Sequence, residues 1–404
     1  MIPRLKPFIG DEEVFSIFKT SPNAVKEFEQ AFAKQFDSKY ATAFPYGRSA
    51  LWAFFKALGL NKAEIAQPAY TCSVVAHATV LSGNIPVFVD NNLGDYTMDM
   101  ELLEKAITPN TRAIIPTHLF GYPMDVDEVN NIVSHAEKNF GHKIWVIQDC
   151  AHSFATSHKG KSVINTGDGA IFGLGISKQI TSIFGGIFST NNLEIANKII
   201  RFQEEHFTKP TLRKSILRFL YLLAVYPAFS PMIYGWVYWL QERTALLNRL
   251  TKAYHLDEKI HFPPDYLDLM TGVEAKVGLE QIQKYAVIKK RRVEIAEQYF
   301  NNIPASNKYV LPKKVNGATY SHFVIRTAYR DQMLAYFALR GIQLGRLIEY
   351  SMPHHPAYIE YTNGKQFPNS SLCSHSMINL PIHPGLSEKD ISRIISTLED
   401  FTNS

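Results

Sequence analysis

Between residues 20 and 200 the chain alternates amphipathic helical patterns with short, strongly apolar runs, and few folds accommodate that alternation. Strands with so little polar character are buried on both faces, which requires helices on both sides of a mostly parallel sheet. SPNAVKEFEQAFAKQF (21–36) and RSALWAFFKALGL (48–60) have helical spacing, whereas IPVFVD (85–90), RAIIPTHLF (112–120), WVIQD (145–149) and GAIFGL (169–174) have strand character. DVDEVNNIVSHAEKNF (125–140) is a helix between two of these strands, with acidic residues in its first turn. Further on, 272–302 has one long helical pattern. It leads to a strand at HFVIRTA (322–328), a helix ending at Gly341 in RDQMLAYFALRGI, and a terminal helix capped by Ser387 in SEKDISRIISTLEDF. The expected class is α/β with a smaller α+β C-terminal domain. The expected domains are 1–204, an apolar and aromatic insert at 205–262, and 263–404.

Composition narrows the function. A chain of 404 residues that is 46% hydrophobic can build more than one core, and a formal charge of +5 without a Lys/Arg run argues against a nucleic-acid partner. Cys72, Cys150 and Cys373 stand far apart with no CxxC spacing. Neither a metal centre nor a disulfide framework is expected, and the pattern suits a reducing cytoplasm. The start, MIPRLKPFIGDEEVF, has no apolar run of the kind a cleaved secretory signal needs.

The chemistry gathers around Lys178. In AIFGLGISKQITSIFGGIFST (170–190) it is the one charged residue, closed off by Gly185 and Gly186. A lone ammonium between apolar segments is ordinarily a snorkelling surface residue. Asp149 ends the strand WVIQD, with His152 three residues on; a carboxylate there faces the crevice of an open α/β sheet, or it simply caps a loop. Gly47, Arg48 and Ser49 precede a helix, where backbone N–H groups and the helix dipole favour a phosphate, though an ordinary N-cap explains them equally. Together, a lysine able to form a Schiff base, an aspartate for a pyridinium nitrogen and a phosphate-gripping helix start are the parts a pyridoxal phosphate enzyme requires.

The order of these parts resembles the DegT/DnrJ family of fold type I pyridoxal phosphate proteins, mostly sugar aminotransferases, from about residue 7 to the end. GRSALWAFFKALGL, QPAYTCSVVAHATVLSGNIPVFVDNN, ITPNTRAIIPTHLFGYPMDVDEV, VIQDCAHSFATSHKGKSV and INLPIHPGLSEKDISRII carry the likeness. It implies that Lys178 is the lysine joined to the cofactor, Asp149 the partner of the ring nitrogen, and His152 a contact to the ring or its 3-oxygen. It also implies that Gly47, Arg48 and Ser49 form the phosphate turn, with Ser177 beside the lysine. His118, His354 and His355 become candidates near the substrate. The implied reaction moves an amino group from an amino acid, with glutamate as donor, to a keto-sugar on a nucleotide or lipid carrier, in surface polysaccharide or glycoconjugate biosynthesis. A homodimer is the implied assembly. Two other readings keep the fold but not the transfer: a dehydratase, in which the family replaces the lysine, and a scaffold or regulator.

The chain departs from the family at several site positions. Gly173 stands where a phosphate-binding serine is usual, Cys72 where an aromatic stacks, with Tyr70 as the near substitute, and Phe184 where a glutamate is usual. PDYLDLMTGVEAKVGL lacks the family's Asn and Arg. The other departure is FLYLLAVYPAFSPMIYGWVYWL (219–240), which carries no charge. Its length suits the roughly 30 Å core of a bilayer. Pro227 and Pro231 interrupt it, however, and a crossing would divide the catalytic domain. The expectation is peripheral contact through 213–243 at the inner face of a membrane, led by Tyr221, Tyr226, Tyr234, Trp236, Tyr238 and Trp239 behind the basic residues Arg213, Lys214 and Arg218. Burial between subunits is the alternative.

Overall fold

A computed structural model of the chain describes residues 1–19, 21–230, 233–243 and 259–403. Its centre is a seven-stranded sheet in the order β1-β9-β8-β5-β4-β2-β3. The strands are β1 (Tyr40–Phe44), β2 (Glu64–Pro68), β3 (Ile85–Val89), β4 (Thr111–Ile114), β5 (Trp145–Asp149), β8 (Gly169–Gly173) and β9 (Gly186–Thr190), while β6 (Ser157–His158) and β7 (Lys161–Ser162) form a separate hairpin. All pairings within it are parallel except those of β9, which runs antiparallel to both β1 and β8.

Successive strand residues feed opposite faces, as the pleat demands. Phe172 joins the cluster built by Phe28, Phe32 and Phe36 with Tyr285, whereas its neighbour Ile171 packs with Leu51, Phe54, Phe55 and Ile199. Each fully buried phenylalanine contributes about 1.5–3 kcal/mol by leaving water, so the two aromatic layers fix which way β8 faces. The first layer comes from α2 (Ala24–Gln35) and the second from α3 (Gly47–Ala57) and α7 (Leu193–His206).

The long helical pattern forms over the expected residues, Gly272–Asn302, opened by a capping box between Thr271 and Glu274. Beyond it, the antiparallel pair Phe323–Arg326 and Met377–Leu380 carries its own core with Ile342, Phe337 and Leu398. Strand RAIIPTHLF is shorter than its apolar run, ending at Ile114 before Pro116. The next residues turn toward β5, where Thr117 bridges Asp149.

The uncharged stretch folds as two helices, α8 (Leu212–Ala228) and α9 (Tyr234–Arg243). Pro227 sits in the last turn of α8, where its missing N–H ends the helix. Pro231 lies outside the described residues. Among the described residues, no helix is long and apolar enough to cross a membrane. The basic flank differs from the expectation. Lys214 and Arg218 face inward: Lys214 Nζ donates to the carbonyl of Asp268 at 2.8 Å, and Arg218 pairs with Asp265 at 2.7 Å and Glu274 at 2.9 Å. Only Arg213 of the three remains outside. A helix next to buried acids turns its cations inward because an unpaired buried carboxylate is costly.

Candidate active site

The carboxyl ends of β5 and β8 open into one cavity of about 730 Å³. Asp149, His152, Gly173, Ser177 and Lys178 line it, together with Gly47, Arg48 and Cys72. The helix that begins at Gly47 reaches this point through a close approach that only glycine permits. A Cβ on Gly186 would lie 2.3 Å from the nitrogen of Gly47, and one on Gly47 would lie 2.9 Å from the carbonyl oxygen of Phe172. Tyr46 is the N-cap, so Gly47, Arg48 and Ser49 form the first turn itself rather than preceding it. A helix start there offers N–H groups with no acceptor within the helix. The Arg48 guanidinium lies over the Tyr46 ring at 5.3 Å.

Asp149 is 5% exposed. One of its oxygens accepts the N–H of Ala151 at 3.1 Å, and the other is 3.5 Å from the hydroxyl of Thr117. Burial pushes its carboxyl above the usual range, against the N–H of Ala151, the charge of Lys178 and the Thr117 hydroxyl, which pull it down. Lys178 shows the reverse: burial lowers its ammonium, opposed by Cys72 and Asp149. The two form no ion pair with each other, and among the described residues neither has an ion-pair partner. His152 accepts the N–H of Phe120 on Nδ1 at 3.2 Å, which leaves its neutral ring protonated on Nε2. Burial, Lys178 and His322 hold it well below the usual histidine range.

Several expected residues lie elsewhere. Ser49 donates its hydroxyl to the carbonyl of Tyr266 at 2.9 Å and does not line the cavity. Tyr70 is fully buried in the C-terminal core, leaving Cys72 on the wall. His118 is a buried structural residue. Its Nδ1 accepts the N–H of Met124, its Nε2 meets Gln148 at 2.9 Å, and burial lowers its pKa to about 4. His354 is exposed, and His355 accepts the N–H of Ala357 at 3.3 Å; neither lines this cavity.

The insert forms the outer wall. Tyr221, Ala224, Val225, Ala228, Phe229, Tyr234 and Val237 all face the cavity. Phe184 and Asp265 seat it: Phe184 lies under the Arg218 guanidinium at 4.0 Å and against Tyr221 at 5.1 Å, and Asp265 takes Arg218 as well as the Tyr46 hydroxyl at 2.7 Å. Ile183, β-branched at φ +76°, is held in this strained conformation while fully buried with Leu222, Val273 and Val277. Sequence reasoning missed His322, whose ring lies 4.9 Å from that of His152, and the roles of Arg218 and Asp265. The one sequence signal near them was Phe184, where the family resemblance implies a glutamate.

A parallel sheet with an amine, an unpaired carboxylate and a helix start in one cavity defines a pyridoxal phosphate enzyme of fold type I. The chain belongs to the DegT/DnrJ/EryC1/StrS aminotransferase family, whose model matches residues 16–218 and 243–399 and so passes over most of α8 and α9. This is a family of pyridoxal phosphate-dependent sugar aminotransferases. The chain is 26% identical to the spore coat polysaccharide biosynthesis protein SpsC of Bacillus subtilis, over 99% of this chain and 97% of that one. It is 25% identical to GDP-perosamine synthase of Escherichia coli O157:H7, over 94% and 90%. Its fold matches the putative sugar aminotransferase Spr1654 of Streptococcus pneumoniae with a TM-score of 0.78 at 21% identity, covering 100% of this chain and 99% of that chain.

Because burial depresses Lys178, its amine should react at lower pH than an ordinary lysine of pKa about 10.4. Competitive acetylation of the cofactor-free chain across a pH series, read by peptide mass spectrometry, should place its midpoint below that value. Asp149→Asn, which removes a charge favouring the ammonium, should move the midpoint further down. A midpoint at or above an ordinary lysine's would contradict the burial assigned to it.

Proposed function

We propose that the chain transfers an amino group from glutamate to a keto-sugar, using pyridoxal phosphate held in this cavity. The observation that carries the proposal is that Lys178 and Asp149 line one buried cavity and, among the described residues, neither has an ion-pair partner. The residues fit the cofactor: an amine for its aldehyde, a carboxylate for its ring nitrogen, and a helix start with Arg48 for its phosphate. When bound, pyridoxal phosphate supplies the electron sink that lets an amino acid lose its α-proton. Lys178 would hold the cofactor through Nζ and, once displaced by the donor, take and return that proton as a free amine. Asp149 would keep the proton on the ring nitrogen, and the cation there would in turn keep its carboxylate ionised despite burial. His152 packs beside them and, with the apolar wall, keeps water out.

The presence of Lys178 favours transfer over dehydration, since the family's dehydratases replace that lysine. Of the two sugar carriers, the apolar wall of Ala224, Val225, Ala228, Phe229 and Val237 favours a lipid, whose hydrocarbon chain would gain from burial against it as a polar nucleoside would not. The test of the reading is the first half-reaction with glutamate, followed by the cofactor's visible absorbance. Asp149→Ala should lose at least about a hundredfold in rate, as expected when a charge-stabilising group of the transition state is removed, while still binding cofactor. A near wild-type rate would remove Asp149 from the site.

The assembly we propose is a homodimer in which a second copy covers the ridge of Ile216, Leu217, Leu220, Leu223, Trp236 and Trp239, all at least 41% exposed. With Lys214 and Arg218 turned inward, Arg213 is the one residue of the expected basic flank left outside to draw the ridge to anionic lipid. Depleted charge with added tryptophan matches the core of a protein interface. Light scattering should give twice the chain mass, and Leu220→Glu with Leu223→Glu should give the monomer. A monomeric wild type, or flotation with liposomes by the wild type alone, would exclude this arrangement.

A further inference from the structure

Arg4 is a cation in the cavity for which the amino-transfer chemistry above has no use. The N-terminal segment is tied to the C-terminal region. Ile2 bridges Ile342 in parallel, its N–H donates to the carbonyl of Gly341 at 2.8 Å, and the N–H of Gln343 returns to Ile2 at 2.9 Å. The N–H of Arg4 then donates to Gln343 Oε1 at 3.2 Å, and Tyr234 of α9 donates its hydroxyl to the same oxygen. The Arg4 stem crosses Gly345, where a Cβ would come within 2.9 Å of Cδ and 3.2 Å of Nη1. The side chain is thus led along a path that a larger residue at 345 would obstruct, into the cavity that holds Lys178.

Among the described residues its guanidinium has no ion pair and no hydrogen bond. The acid whose charge reaches it is Glu349, which is exposed and stands 3.6 Å from Arg346. Asp149 is the only carboxylate among the described lining residues and is not its partner. Arg4 is half-buried, and arginine stays charged even when burial lowers its pKa, so its guanidinium offers the cavity a site for an anion from outside the chain. It is not placed with Arg48, which stands over Tyr46. Arg4 and Lys178 instead both bear on His322, beside the His152 ring.

We propose that Arg4 binds a carboxylate of the amino-acid donor, the anion that must enter beside Lys178 in every turnover. A planar guanidinium grips a carboxylate through two parallel N–H bonds, which would orient the donor as well as hold it. The assignment rests on the amino-transfer reading. Its test uses the wild-type holoenzyme with glutamate, glutamine and the α-amide of glutamate, following the cofactor's visible absorbance. Arg4→Gln should raise KM for glutamate about tenfold to a hundredfold, the worth of a hydrogen bond to a charged group, with kcat and cofactor content unchanged. It should also erase the wild type's preference for glutamate over one of the two amides. Arg4→Lys should restore part of the loss. An unchanged KM for glutamate, an equal loss with all three donors, or loss of the cofactor itself would overturn the proposal. A wild type that gives no half-reaction with any of the three would overturn the amino-transfer reading and this assignment with it.

Discussion

An ammonium and a carboxylate share one buried cavity, and among the described residues neither has an ion-pair partner. Desolvation of either ion costs several kcal/mol when nothing compensates it, and here it drives Lys178 and Asp149 toward their neutral forms. The arrangement persists because backbone fixes both ends. Asp149 is the last residue of a central strand bridged to Thr117, and Lys178 follows a turn closed by its own N–H to the carbonyl of Gly175 at 2.9 Å. A ligand bringing a cation to one and an aldehyde to the other relieves both costs. That is why the pair, more than any single residue, supports a pyridoxal phosphate site.

The insert depends on the same cavity from the other side. Arg218 is its anchor, with side-chain exposure of 13% beside a Glu274 of 0%. Breaking such a buried pair costs about 3–5 kcal/mol, because the partner is left charged and unpaired. Asp265, Phe184 and Tyr46 complete the anchor. The apolar part of the cavity follows from the seating.

Much of the fold was legible in the sequence because the strands of the central sheet are short apolar runs and the helices show clear periodicity. Gly272–Asn302 is found over the expected residues, and Ser387 caps its helix as expected, accepting the N–H of Asp390 at 3.2 Å. β1 and the antiparallel β9 were not seen, because Tyr40–Phe44 mixes small and polar residues with its aromatics and Gly186–Thr190 opens on the second glycine of a pair that reads as loop. Lys178, Asp149 and His152, singled out from order and spacing, line one cavity. Arg4 and His322 were not singled out, since each reaches the site through contacts more than about a hundred residues away in sequence, which local pattern cannot register. The basic flank of the insert was misjudged for a related reason: sequence shows that Lys214 and Arg218 are charged, and only the fold shows that Asp265 and Glu274 wait beneath them.

The central claim is that Lys178 is the amine that holds the cofactor. Its most direct measurement is borohydride reduction of the chain loaded with pyridoxal phosphate, followed by peptide mapping of the adduct by mass spectrometry. The account predicts a single adduct, on Lys178, which disappears when glutamate is added before reduction. An adduct on another lysine, or one on Lys178 that glutamate does not remove, would contradict it.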